Sequence, residues 1–477
     1  MRGVLMNFHR TARAIFAILM PCFAEAQAIP SNDEIHKILA ERVSENEKDI
    51  GIVVGVIDPQ SGSDNWRIIS YGHRNAGDAR PLDGNTVFEI ASGTKVFTAL
   101  LLADMVEKNE VALSDPASKY LPDIKLPERN GRSITLADLA THTSGLPFMP
   151  ADAPPLNDPS AAKYSVDDLK RYLGGYQLTR EIGSEWDYSN IGYWVLSEAL
   201  AARAGKEIKA LIRQRVLIPL KMPDTDFELS AKMKPNLAPG HDNALQPAPP
   251  VSSMSIYSIM PAGGGLYSTA NDLLTFLSEC MGYEPSLLAP AMKTALSVHR
   301  PVKPGNEQAL GWNIYGKDGD QIIFRDGSSF GYASAIAYDP KSRVGVIVLT
   351  NQIGDVGDIA RHLLRPDFPL AKPANTKHTE ITLDEKVLDS YVGRYEAKGE
   401  GIFIVAREND FLTLESPADW GLPKLRIRPE NQQDFFATEL PVRVTFEAAP
   451  DGKVSGLVIY PPRGQKGVPA DKLATEN

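Results

Sequence analysis

Two cysteines in 477 residues, Cys22 and Cys280, exclude a disulfide framework. The eight histidines are scattered, without a His-Glu-x-x-His or comparable spacing. No metal centre and no cofactor are predicted. Basic clusters are absent and the net charge is −10, which argues against a nucleic-acid partner. Beyond the N-terminal segment, no apolar run reaches the length of a membrane-spanning helix. What is present, 43% hydrophobic and 23% charged residues, is the balance of a soluble globular protein. The chain is too long for one ordinary core, so two domains are expected.

Residues 1–26 read as a cleavable export signal: Arg2, Arg10 and Arg13 precede the apolar residues 14–23, and Ala24-Glu-Ala26 supplies small residues for cleavage. The mature protein is expected to be exported, to the periplasm. Lipidation at Cys22 is the weaker reading, because Leu19-Met-Pro lacks the small residues that precede a lipidated cysteine. Removal of the signal leaves Cys280, predicted to be a small buried hydrophobe beside Leu273, Leu274, Phe276 and Leu277.

The chemistry starts at Ser92-Gly-Thr-Lys95, which follows a strand-like segment, residues 86–90, and opens the long apolar helical run of residues 96–106. At that spacing hydroxyl and amine share one helix face, one turn apart. Serine needs such a neighbour, being a weak nucleophile until a base takes its proton. The positive end of the helix and burial both push Lys95 toward the neutral amine that can do so. A second copy, Ser160-Ala-Ala-Lys163, follows a proline-rich stretch and precedes the helix start at Ser165, so it reads as loop. Tyr188-Ser-Asn190 is the one place among sixteen tyrosines where Asn follows two residues later. Tyr188 is a second candidate base, and the sequence leaves open which of the two takes the proton. Asn190 can hold Lys95 and a substrate amide. Arg325-Asp-Gly-Ser328 completes the ordered set.

Those three motifs in that order resemble the serine β-lactamase and penicillin-binding-protein superfamily, in particular its class C branch with esterases and D-amino-acid peptidases. The flanking segments 139–147, 261–270 and 344–351 share the likeness, which runs from about Gly51 to Asn351. The resemblance implies an antiparallel sheet between helices beside a helical lobe, an α/β (α+β) fold with the site in the cleft. It assigns Ser92, Lys95 and Tyr188 to catalysis and Asn190, Arg325, Gly327 and Ser328 to substrate binding. The oxyanion hole would be the backbone N–H groups of Ser92 and Ser328. Arg325 departs from the family's Lys or His; it keeps the cation, cannot give up a proton, and is expected to meet a substrate carboxylate. Asp326 would bring a negative charge close by.

The predicted organisation is a catalytic domain over residues 30–365, a proline-rich linker over 366–380, and a small all-β, barrel-like domain over 381–477 with hairpins at 401–415 and 442–460. His142 reads as a structural prop in its loop. Gly327-Ser-Ser329-Phe-Gly331 formally matches a nucleophile elbow with Asp355, Asp358 and His362 downstream, but a strand pair, not a helix, follows it. The expected function is an exported serine hydrolase that cleaves a β-lactam, a D-amino-acid peptide or a small ester through an acyl-serine at Ser92. A non-hydrolytic penicillin-recognising sensor on the same fold is the alternative. The acyl donor is not legible.

Overall fold

All seven residues of β1 (Gly51–Ile57) are buried, which a strand achieves only when both faces of its sheet are covered. The computed structural model describes residues 29–43, 49–59, 66–75, 77–154, 163–242, 245–249, 258–317, 319–371, 378–417, 424–438, 442–449, 452–460 and 467–474. The proposed signal with Cys22, Ser160 of the second Ser-x-x-Lys, and residues 372–377 of the proline-rich linker lie outside these residues.

The main sheet also contains β2 (Arg67–Gly72) and, from the other end of the catalytic segment, β7 (Arg300–Lys303), β8 (Asn306–Gln308), β9 (Asn313–Lys317), β10 (Asp320–Ser328), β11 (Ala333–Asp339) and β12 (Val344–Thr350). Its order is β2-β1-β12-β11-β10-β9-β8-β7, antiparallel throughout. The chain's two halves therefore share one sheet, joined where Val54 meets Val348. Three short strands precede the return, β3 (Val87–Glu89), β4 (Glu128–Arg129) and β5 (Arg132–Ser133); β6 (Tyr267–Thr269) pairs with β3.

Side-chain alternation splits the core. Ile52, Val54, Val56, Val346 and Val348 face α1 (Asn32–Arg42) and the helix Gly357–Leu364. Val53, Ile57, Ile347 and Leu349 face α2 (Thr94–Glu107) and the helix Ala270–Cys280. Burial of each aliphatic side chain contributes about 1.5–3 kcal/mol. A Cβ on Gly345 would stand 2.9 Å from Met281 and 3.0 Å from Leu277, so glycine here lets the Ala270–Cys280 helix lie directly on the sheet. Cys280 packs against this core, and burial raises its thiol pKa.

The helical lobe includes α3 (Leu136–Ala140), α4 (Val166–Gly175) and α5 (Asn190–Ala204). Ser165 caps α4 in a reciprocal pair with Asp168, at the helix start read from sequence. In α5, ten of the fifteen residues are buried, so this helix is core rather than surface.

The C-terminal segment is a closed antiparallel barrel of β13 (Gly393–Ala397), β14 (Gly401–Glu408), β15 (Phe411–Glu415), β16 (Leu425–Pro429), β17 (Asp434–Ala437), β18 (Arg443–Ala448), β19 (Val454–Tyr460) and β20 (Val468–Lys472). Side chains fill its interior: Tyr395, Phe403, Phe435 and Phe446 are at most 2% exposed. The helix Glu385–Tyr391 adds Leu388 and Tyr391 to that core. Among the described residues, none before Leu383 belongs to this hydrophobic core. A chain ending at residue 371 is therefore expected to fold and to keep covalent labelling of its active serine, measured by solubility and probe uptake. An insoluble or unlabelled product would mean that the barrel completes the catalytic core.

Candidate active site

Ser92 lies in a tight turn. β3 ends at Glu89, Ala91 takes a left-handed backbone with φ of 46°, and a single 3-10 turn, Ala91–Gly93, leads into α2. This leaves Ser92 half-buried at the mouth of the helix and places Lys95 one turn deeper, wholly buried. Lys95 Nζ lies 3.2 Å from Ser92 Oγ and donates to Asn190 Oδ1 at 2.8 Å and to the Gly263 carbonyl at 2.6 Å.

Tyr188 reaches the same hydroxyl from the other side. It stands two residues before the body of α5, whose N-cap is Ser189, and its Oη donates to Ser92 Oγ at 2.8 Å. Burial, helped by the Arg325 guanidinium, lowers the Lys95 ammonium pKa to about 8 despite the opposing pull of Tyr188. Burial alone would raise the Tyr188 phenol, but Arg325 and Lys95 outweigh it and bring the phenol to about 8. Two groups able to accept a proton near neutral pH thus flank one serine hydroxyl.

The third motif enters on the C-terminal half of β10, which runs on to Ser328. Gly327 is where this strand touches the Ser92 turn. A Cβ there would stand 2.3 Å from the Ile90 carbonyl and 2.8 Å from Gly93 N, so only glycine permits the approach. Ser334, opposite Gly327 on β11, donates from Oγ to the same Ile90 carbonyl at 2.7 Å. Ser328 is exposed at the strand end.

Arg325 is 2% exposed. Its Nη2 donates to Tyr188 Oη at 2.6 Å and its Nε to the Ser92 carbonyl at 3.1 Å. The guanidinium expected to meet a substrate carboxylate is here turned onto the tyrosine and the nucleophile's backbone. Asp326 stands opposite Ala335 and two residues from Phe324, both on the far face of the sheet, and is the last of the charges acting on Lys95. Asn190 meets Lys95 as expected, while its Nδ2 lies 3.8 Å from Met149 Sδ.

The rival sites come apart. Ser329 is 8% exposed and sits between β10 and β11, so strand, turn and strand replace the strand, turn and helix of an elbow. Asp358 is bound by Arg42 at 2.6 Å, and His362 donates from Nδ1 to the Phe368 carbonyl at 2.8 Å. Sequence reasoning missed the Gly263 carbonyl. Every residue carries such an acceptor, so its spacing leaves no signal.

The β-lactamase family profile matches residues 45–365. The chain belongs to the β-lactamase family. Membership makes it a serine hydrolase. D-alanyl-D-alanine-carboxypeptidase/endopeptidase AmpH of Escherichia coli (strain K12) is 30% identical over 323 residues, 63% of this chain and 79% of that protein. A penicillin-binding protein of Bacillus subtilis (strain 168) is 26% identical over 438 residues, 85% of this chain and 92% of its own. The solved structure of a class C β-lactamase shares the fold with a TM-score of 0.60 at 21% identity, covering 72% of this chain and 97% of that one. Residues 377–469 match a domain of unknown function.

Proposed function

We propose that the chain is an exported hydrolase of acyl bonds that works through a covalent acyl-serine at Ser92, on a D-alanyl peptide, a β-lactam or a small ester. The observation that carries this reading is the position of Ser92 Oγ, 3.2 Å from Lys95 Nζ and 2.8 Å from Tyr188 Oη, with both groups brought down to about 8. Ser92 Oγ attacks the substrate carbonyl as its proton passes to the Lys95–Tyr188 pair. The backbone N–H groups of Ser92 and Ser328 receive the developing oxyanion. The C–N or C–O bond then breaks, and the pair returns the proton to the departing amine or alcohol. Water attacks the ester carbonyl, giving a proton to the same pair, and as the acyl C–Oγ bond breaks the pair returns that proton to Ser92 Oγ, releasing the acid.

Arg325 acts within this scheme by holding Tyr188 and favouring its phenolate. Arg325→Ala is therefore expected to lower kcat/KM by about 10- to 150-fold, the scale of a charge-assisted hydrogen bond of about 1.5–3 kcal/mol. The loss should be equal for neutral and carboxylate-bearing substrates. Kinetics on one ester of each kind check it; a loss confined to the anionic substrate would return Arg325 to ligand recognition.

The relatives named above include a D-alanyl-D-alanine carboxypeptidase/endopeptidase and a penicillin-binding protein, which supports a peptide or β-lactam acyl donor. The test is hydrolysis of nitrocefin, a D-alanyl peptide and a short p-nitrophenyl ester, measured side by side. Turnover of any of them supports a hydrolase and ranks the donors. Acylation without release of product would support the non-hydrolytic alternative.

A further inference from the structure

We propose that His142 is the positioning residue of Tyr188, clasping the chain on both sides of it so that the phenol stays between Ser92 and Arg325. The proposal rests on the reading of Tyr188 as part of the proton-handling pair. His142 takes a left-handed backbone, with φ of 58°, which histidine adopts at a cost and keeps only where its surroundings demand it. That conformation turns its carbonyl and its ring onto the same three residues. Asp187 N donates to the His142 carbonyl at 2.8 Å, and Ser189 N donates to His142 Nδ1 at 3.1 Å. Between those two bonds the imidazole lies against the Tyr188 ring, with centroids 4.3 Å apart and planes 37° from each other.

An acceptor Nδ1 places the ring proton on Nε2, which is buried and makes no hydrogen bond to the described residues. The ring is wholly buried, and burial with Arg325 and Lys95 nearby holds it neutral. His142 thus adds no charge to the pair and exchanges no proton with it. Its contribution is placement. The charged and titratable groups around Tyr188 are Lys95 from α2, with Nζ 4.9 Å from the ring centroid, Arg325 from β10, at 5.2 Å, and Tyr193 from α5, whose ring lies against that of His142 at 5.1 Å between centroids. A phenol that drifts from Arg325 loses the cation that favours its phenolate, so its pKa rises toward the ordinary value.

His142→Asn tests this, because asparagine tolerates the left-handed backbone while removing the ring. The readout is the pH profile of p-nitrophenyl ester acylation, normalised to sites titrated with a fluorophosphonate. The wild-type rate should rise with pH through about 8, as the proton-accepting forms appear. In the variant that limb should move up by about one pH unit, with kcat at pH 7 down about tenfold and KM within about threefold. His142→Phe, which keeps a ring but no acceptor, should move the limb in the same direction. An unmoved limb in both variants, with the loss accounted for by fewer titratable sites, overturns the proposal. A wild-type profile with no limb near pH 8 would instead overturn the reading of Lys95 and Tyr188 on which it rests.

Discussion

Ser92→Ala is expected to lower kcat/KM by about 10⁵-fold or more while leaving the fold intact, the scale seen when the nucleophile of a serine hydrolase is removed. The methyl group of alanine fits where the hydroxymethyl stood, because Ser92 is half-buried and its Oγ contacts are the hydroxyls and amines of the site itself. Circular dichroism and thermal unfolding should therefore match the wild type. Retained activity above about 1% would move the nucleophile elsewhere, and Ser329, with a buried Oγ that lacks a partner among the described residues, would be the first place to look.

Lys95→Ala and Tyr188→Phe are each expected to cost about 10³-fold in acylation, and the double variant little more than the worse single change. Independent groups would multiply to about 10⁶-fold. The expected coupling follows from the geometry. Lys95 Nζ and Tyr188 Oη meet the same Ser92 Oγ, each lies in the electrostatic field of the other, and Arg325 reaches Tyr188 directly. Removal of either disturbs the proton affinity of the one that remains. Single-turnover kinetics on all three proteins check this, and a fully multiplicative loss would assign Lys95 and Tyr188 to separate steps.

The parts of this site that a sequence reveals are those fixed by short-range geometry. Ser92 and Lys95 are readable because three residues on a helix fix their separation. Tyr188 is readable because its Tyr-x-Asn pattern has no second copy in the chain. The orientation of Arg325 was not readable. Nothing in the order of residues says that β10 runs on to Ser328, or that its odd-numbered side chains face the Ser92 turn while Asp326 faces away. β7 and β8 were also invisible, since Arg300–Lys303 has a single β-branched residue, Val302, next to a proline, and Asn306–Gln308 has none. The barrel was legible as two hairpins because those pairings are local. Its closure depends on Tyr395 meeting Lys472, a contact between distant parts of the chain that no local pattern encodes.

The most direct test is intact-protein mass spectrometry after brief exposure to a fluorophosphonate and, separately, to a penicillin, followed by peptide mapping. One adduct per chain on the peptide containing Ser92, abolished in Ser92→Ala and slowed in Lys95→Ala, is the expected result. An adduct on any other serine, or no adduct from a protein that still hydrolyses ester, would contradict an acyl-serine mechanism at Ser92.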